Sequence, residues 1–256
     1  MDVQALQALL LSIIAGTATL IGALIVIVVK GENKKFISAS LGFAAGIMIS
    51  VSMLELFSKS NELITSSTNS YMGAIISTLC LGIGMFLTFL LNHFIQDESV
   101  AVDTLSNNKL LSTGIISMLV IALHNFPEGV ATFMSSYGNT SLGISITIAV
   151  ALHNIPEGIT VALPILLSTN NKKKAIFFTF LSGITEPLGA ILAFFILRFF
   201  LTDLVLGAIF GIVGGIMIYI ALDDLIPSSR KYGCDGIALF FTLLGICIIP
   251  LTNIIK

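Results

Sequence analysis

The sequence predicts an all-α membrane protein of eight transmembrane helices, with helices 1–3 and 6–8 forming an inverted repeat around helices 4 and 5. Three observations carry this. The 256 residues are 56% hydrophobic and only 10% charged, with a mean hydropathy of +1.04, far more apolar than a soluble domain. Apolar runs long enough to cross roughly 30 Å of hydrocarbon, about 20 residues each, can be laid down eight times. Two of these runs also repeat each other's sequence while crossing in opposite directions. The spans leave only short connections, so a single membrane domain over 1–256 is expected, with the lipid bilayer as its solvent and no nucleic-acid partner.

Span 1 (5–29) carries no charged side chain before its end and reads as scaffold. It is too long for a cleaved signal peptide and lacks a basic leader. Span 2 (36–58) contains GFAAGIMISVSMLELF and span 7 (204–227) contains GIVGGIMIYIALDDLIP. At an offset of 169, Gly42 meets Gly211, residues 46–49 meet an identical 215–218, and Glu55 meets Asp224. Inverted copies of this kind build two alternating mouths around a midplane site, so Glu55 is expected at the outer mouth and Asp224 at the inner. The bland alternative is a pair of interfacial acids, with the glycines serving only helix packing. Asp223 reads as a solvated neighbour. Span 3 (71–95) holds His93 near its end, and the acidic stretch 96–108 reads as a solvated connection.

Spans 4 and 5 (110–134 and 142–168) carry the chemistry. HNFPEG begins at His124 and HNIPEG at His153, 29 residues apart. On a helix, imidazole at i and carboxylate at i+4 share one face, so His124 with Glu128, and His153 with Glu157, form ligand edges flanked by Asn125 and Asn154. The proline at i+3 crowds the carbonyl four residues back, so Leu123 and Leu152 are expected to carry free carbonyls at a kink. Each motif falls mid-span, and two antiparallel helices bring them to one depth. A charge there costs at least about 2.5–3.5 kcal/mol on insertion scales, so Glu128 and Glu157 need partners. A metal ion is one partner; a protonated Glu bonded to its own His is the other.

Span 6 (175–197) supplies SGITEPLGA, with Ser182 and Glu186 at i and i+4 and Pro187 behind them. Glu186 is expected to be a third buried acid facing the other two. Span 8 (236–255) reads as scaffold. Of the twelve basic residues, nine fall in the loops 1–2, 3–4, 5–6 and 7–8 and three on the other side, which predicts both termini outside a cell (inner) membrane. The three cysteines suggest no disulfide framework.

Imidazole nitrogen with carboxylate and amide oxygen suits Zn²⁺, Fe²⁺, Mn²⁺, Co²⁺ or Cd²⁺, and the lack of a Cys or Met cluster argues against Cu⁺. Three buried carboxylates against one divalent ion leave −1, and without the ion −3, so protons are expected to fill the site and metal to displace them.

The paired HNFPEG and HNIPEG motifs followed by SGITEPLGA resemble the ZIP (Zrt-/Irt-like) metal transporters, most closely the bacterial branch, over essentially the whole chain. The resemblance implies two adjoining metal positions. His124, Glu128, His153 and Glu157 would surround one; Asn125, Asn154 and Glu186, with Glu128 and Glu157 as bridges, would surround the other. It further implies a homodimer, movement of metal into the cytoplasm, and no catalytic cofactor. The 3–4 connection lacks the histidine cluster of many relatives, and Asp223-Asp224 stands where relatives often have a glutamate. Two other classes compete: a metal-dependent membrane enzyme, against which stands the absence of Glu-x-x-His and His-Glu-x-x-His patterns, and a structural protein in which metal staples spans 4 and 5.

Overall fold

The computed structural model of the protein describes residues 3–28, 33–105, 109–200 and 202–252, and within these it describes no side chain at 94–105, 109, 110, 112, 113, 116, 124, 197, 198 or 252. Among the described residues there are no strands and eight helical spans. These are α1 Val3–Val28, α2 Lys34–Ser67, α3 Ser70–Leu105, α4 Lys109–Gly138, α5 Thr140–Thr169, α6 Lys172–Phe195, α7 Asp203–Arg230 and α8 Asp235–Thr252. Six are long and apolar enough to cross a membrane by length and composition over their described residues, and α8 is a shorter apolar helix. The fold class is that of an all-α multi-pass membrane protein.

Short polar caps separate the spans. Asn33, Asn139, Asn171 and Thr202 each accept a bond from a backbone N–H in the first turn of α2, α5, α6 and α7, and Asn170 ends α5 in the left-handed region at φ 48°. Two boundaries differ from expectation. α2 continues past 58 to Ser67, because SKSNELITSS contains no Gly or Pro and Lys59 pairs with Glu62 at 2.7 Å one turn on. α3 runs on to Leu105, so most of the stretch expected as a connection is helical; its last residues, 106–108, lie outside the described residues. α6 breaks at Ile184, between Gly183 and Thr185. Pro187 has no N–H to offer the Gly183 carbonyl, and its ring crowds that oxygen.

The packing repeats the sequence symmetry. α1 lies mainly on α5 and α4 on α6, while α2 lies on α8 and α3 on α7. Exchanging 1 with 6, 2 with 7, 3 with 8 and 4 with 5 turns each pairing into its counterpart. The backbone agrees residue by residue. A Cβ on Gly46 of α2 would strike the Thr242 carbonyl of α8, and one on Gly215 of α7 the Leu81 carbonyl of α3. Both α2 and α7 widen into a π-helical turn at the same offset of 169, at Ser52–Phe57 and at Ala221–Leu225. These turns hold Glu55 and Asp224, and π turns concentrate at functional places.

The α1–α6 arm of the expected repeat has a register of its own, at an offset of 167. Gly16, Gly22 and Ala23 of α1 correspond to Gly183, Gly189 and Ala190 of α6. Gly16 and Gly183 face one another across the pseudo-two-fold axis, each against the other's carbonyl. A Cβ on Gly158 would fall on the Thr19 carbonyl of α1, and one on Gly129 on the Glu186 carbonyl of α6. Small residues let helices in lipid approach to backbone contact, and here they clamp α1 and α6 onto the two motif helices.

Candidate metal centre

Helices α4 and α5 run antiparallel in contact, and both pass unbroken through Pro127 and Pro156. Their motif edges meet. His153 Nε2 lies 3.2 Å from Glu128 Oε2, with the two side chains 0% and 1% exposed. His153 Nδ1 lies 3.1 Å from the Ala149 carbonyl. A carbonyl only accepts, so Nδ1 carries the proton and Nε2 is the nitrogen turned to the centre. Glu157 and Glu186 are also fully buried. The side chain of His124 lies outside the described residues.

The two asparagines are held in mirrored ways. Asn125 Nδ2 donates to the Ser182 carbonyl of α6 at 3.2 Å, and Asn154 Nδ2 donates to the Ala15 carbonyl of α1 at 2.9 Å. Residues 182 and 15 are related by the offset of 167, as 125 and 154 are by 29. Asn154 Nδ2 also donates to Glu186 Oε2 at 2.8 Å. Because both amide nitrogens are committed to carbonyls, the side-chain oxygens are the ends left for the centre. Asn125 Oδ1, Glu128 Oε1, Asn154 Oδ1 and Glu186 Oε1 are all buried without a hydrogen-bond partner. An unmet buried acceptor costs about 1–3 kcal/mol, and a divalent cation satisfies several at once.

Among the described residues, no three His, Cys, Asp or Glu side chains form a group able to hold an ion by themselves. The acids and His153 instead hydrogen-bond in pairs, Glu128 with His153 and Glu186 with Asn154. An ion would replace those pairings, and its remaining ligands would be the amide oxygens.

Of the remaining expected residues, Ser182 is buried, but its hydroxyl donates to the Thr179 carbonyl at 2.8 Å. Its backbone oxygen, not its side chain, serves the site through Asn125. Asp224 is half-buried and lines a small cavity that Glu157 also lines. Asp223, expected to be a solvated neighbour, accepts from Asn92 Nδ2 of α3 at 2.9 Å. Glu55 sits half-buried in the π turn of α2. α1, expected to be scaffold only, supplies the carbonyl that orients Asn154. Nothing in its side chains announced this; the signal was the glycine register it shares with α6.

The family model described as ZIP zinc transporter matches residues 96–253, more than half of the chain. The chain belongs to the ZIP family. Among its relatives, the zinc transporter ZupT of Streptococcus mutans is 40% identical over 252 residues, covering 96% of either chain. The zinc transporter ZupT of Clostridium perfringens is 40% identical over 270 residues, covering 96% of this chain and 95% of its own. That of Oceanobacillus iheyensis is 42% identical over 259 residues, with 96% and 97% covered. ZIP membership places the chain among transporters and not among enzymes, in line with the absence of a di-metal oxidase or protease pattern in the sequence.

Proposed function

We propose that this ZIP protein carries divalent metal, zinc foremost and with it iron, manganese, cobalt or cadmium, into the cytoplasm through an intramembrane two-position site. His124, Glu128, His153 and Glu157 hold one position. Asn125, Asn154 and Glu186 hold the other, with Glu128 and Glu157 shared, so the ion passes between them without losing all its ligands. The protein is a single domain over 1–256, acts as a homodimer, and keeps both termini outside the cell membrane. Glu55 marks the outer approach and Asp224 the inner. The observation that carries this reading is the set of four partnerless buried oxygens on α4, α5 and α6, each aimed by an amide or imidazole anchor. Zinc transport by 40% identical relatives named for it supports the choice of cargo.

Zinc flux into sealed proteoliposomes tests the reading. Time-dependent accumulation of zinc is the expected result; binding without flux would favour the metal staple, and a metal-dependent chemical product the enzyme. Charge adds a second expectation. Three buried carboxylates cannot all stay ionised without the cation, so zinc binding releases protons and weakens as pH falls from about 7.5 to about 5.5. Zinc titrations in weak buffer, with pH recorded, measure both; equal affinity and no acidification across that range contradict it.

A further inference from the structure

The inverted repeat lets the two sides of the centre be compared within one molecule. On one side, a cavity of about 50 Å³ reaches from Glu157 to Asp224, and Ser117 of α4, Thr160 of α5 and Ser228 of α7 also line it. It has room for a cation with part of its water shell, since about 10–15 Å³ of such space already holds one water. Thr160 follows Glu157 by three residues and Ser228 follows Asp224 by four, so each hydroxyl shares its acid's helix face. Thr160 Oγ1 donates to the Glu157 carbonyl at 2.7 Å, which spends its proton and leaves the oxygen lone pairs for an electron-pair acceptor.

On the opposite side the symmetry replaces Ser117 by Ile146 and Thr160 by Ala131. These two pack with Val150, Val51 and Leu56 in one apolar cluster, none more than 2% exposed. The same backbone arrangement therefore closes there without a hydroxyl, so packing alone does not call for polar residues at 117 and 160.

We propose that the hydroxyls of Ser117, Thr160 and Ser228 form a weak oxygen site that receives the divalent cation from Glu157 and hands it to Asp224. The proposal rests on the cation reading above and extends it to the route of release. Neutral hydroxyl oxygens suit a relay: they keep the ion ligated through a segment that is otherwise hydrocarbon, yet hold it less firmly than a carboxylate, as conduction requires.

Two readouts on the full-length protein test it, zinc flux into sealed proteoliposomes and equilibrium zinc binding by dialysis in detergent. The double variant Ser117→Ala/Thr160→Val is expected to lose about tenfold in flux while its zinc affinity stays within about twofold. Thr160→Ser, which retains the hydroxyl, is expected to recover most of the flux that Thr160→Val loses. Ser117→Ala/Ser228→Ala, which only removes atoms, is measured alongside, and its flux is expected to fall in the same way should the valine variant misfold. Wild-type flux in both double variants overturns the relay. So does parallel loss of binding and flux in a folded variant, which would put the hydroxyls in the centre itself. Failure of the underlying cation reading has a separate signature, namely wild-type protein that binds no zinc.

Discussion

Replacing Glu128 by alanine is expected to abolish zinc binding and zinc flux together, by more than about 100-fold, beyond the 10–100-fold that substitutions behind the ligands usually cost. Glu128 is 1% exposed, one carboxylate oxygen lies 3.2 Å from His153 Nε2, and the other has no hydrogen-bond partner. It stands where α5 meets α4 and is proposed to bridge both metal positions, so its loss removes a ligand and a negative charge from each. Glu128→Gln keeps the shape and a hydrogen-bonding group for His153 but not the charge, and it is expected to fail as well. Dialysis with zinc and proteoliposome flux measure the two effects. A fully active Glu128→Ala discards the two-position site.

The second large effect concerns a residue that ligates nothing. Gly129→Ala is expected to reduce flux below about a tenth of wild type and to cost about 1–3 kcal/mol of stability, the range for overpacking a tight contact. A Cβ at 129 would land on the Glu186 carbonyl, and that obstacle is backbone, so α6 itself has to move. Moving α6 displaces both Glu186 and the Ser182 carbonyl that aims Asn125. Gly82 of α3 has nothing within 4 Å of its would-be Cβ. Gly82→Ala is therefore the matched control, expected to leave flux and thermal unfolding unchanged. Equal loss in the two variants would mean that the glycine clamp is not what sets the position of Glu186.

How much of this the sequence discloses depends on which force acts at each place. Burying charge in lipid is so costly that Glu128, Glu157 and Glu186 stand out in apolar runs, and their spacing from His and Pro already puts ligands on one edge. Eight spans follow from length and hydropathy alone. The α2–α7 repeat is legible because a whole tetrapeptide survives in it. For α1 and α6 the expected repeat has no legible register, because only its glycine contacts are kept: Thr19 stands where α6 has Glu186, so no charge marks α1. Backbone roles stay hidden for a similar reason. The Ala15 and Ser182 carbonyls orient Asn154 and Asn125, yet any residue type supplies a carbonyl. Helix ends outside the hydrocarbon, as in α2 and α3, are likewise invisible to hydropathy, since polar sequence without Gly or Pro continues a helix as readily as it leaves one.

The central claim is that the HNFPEG and HNIPEG edges enclose one cation centre at mid-membrane, and anomalous diffraction at the zinc absorption edge from zinc-soaked crystals of the full-length protein tests it most directly. The account predicts a peak between α4, α5 and α6, with His153 Nε2 and a Glu128 or Glu157 oxygen about 2.0–2.2 Å from it. Zinc peaks found only at surface acids or at His93, with none among these buried ligands, would contradict it.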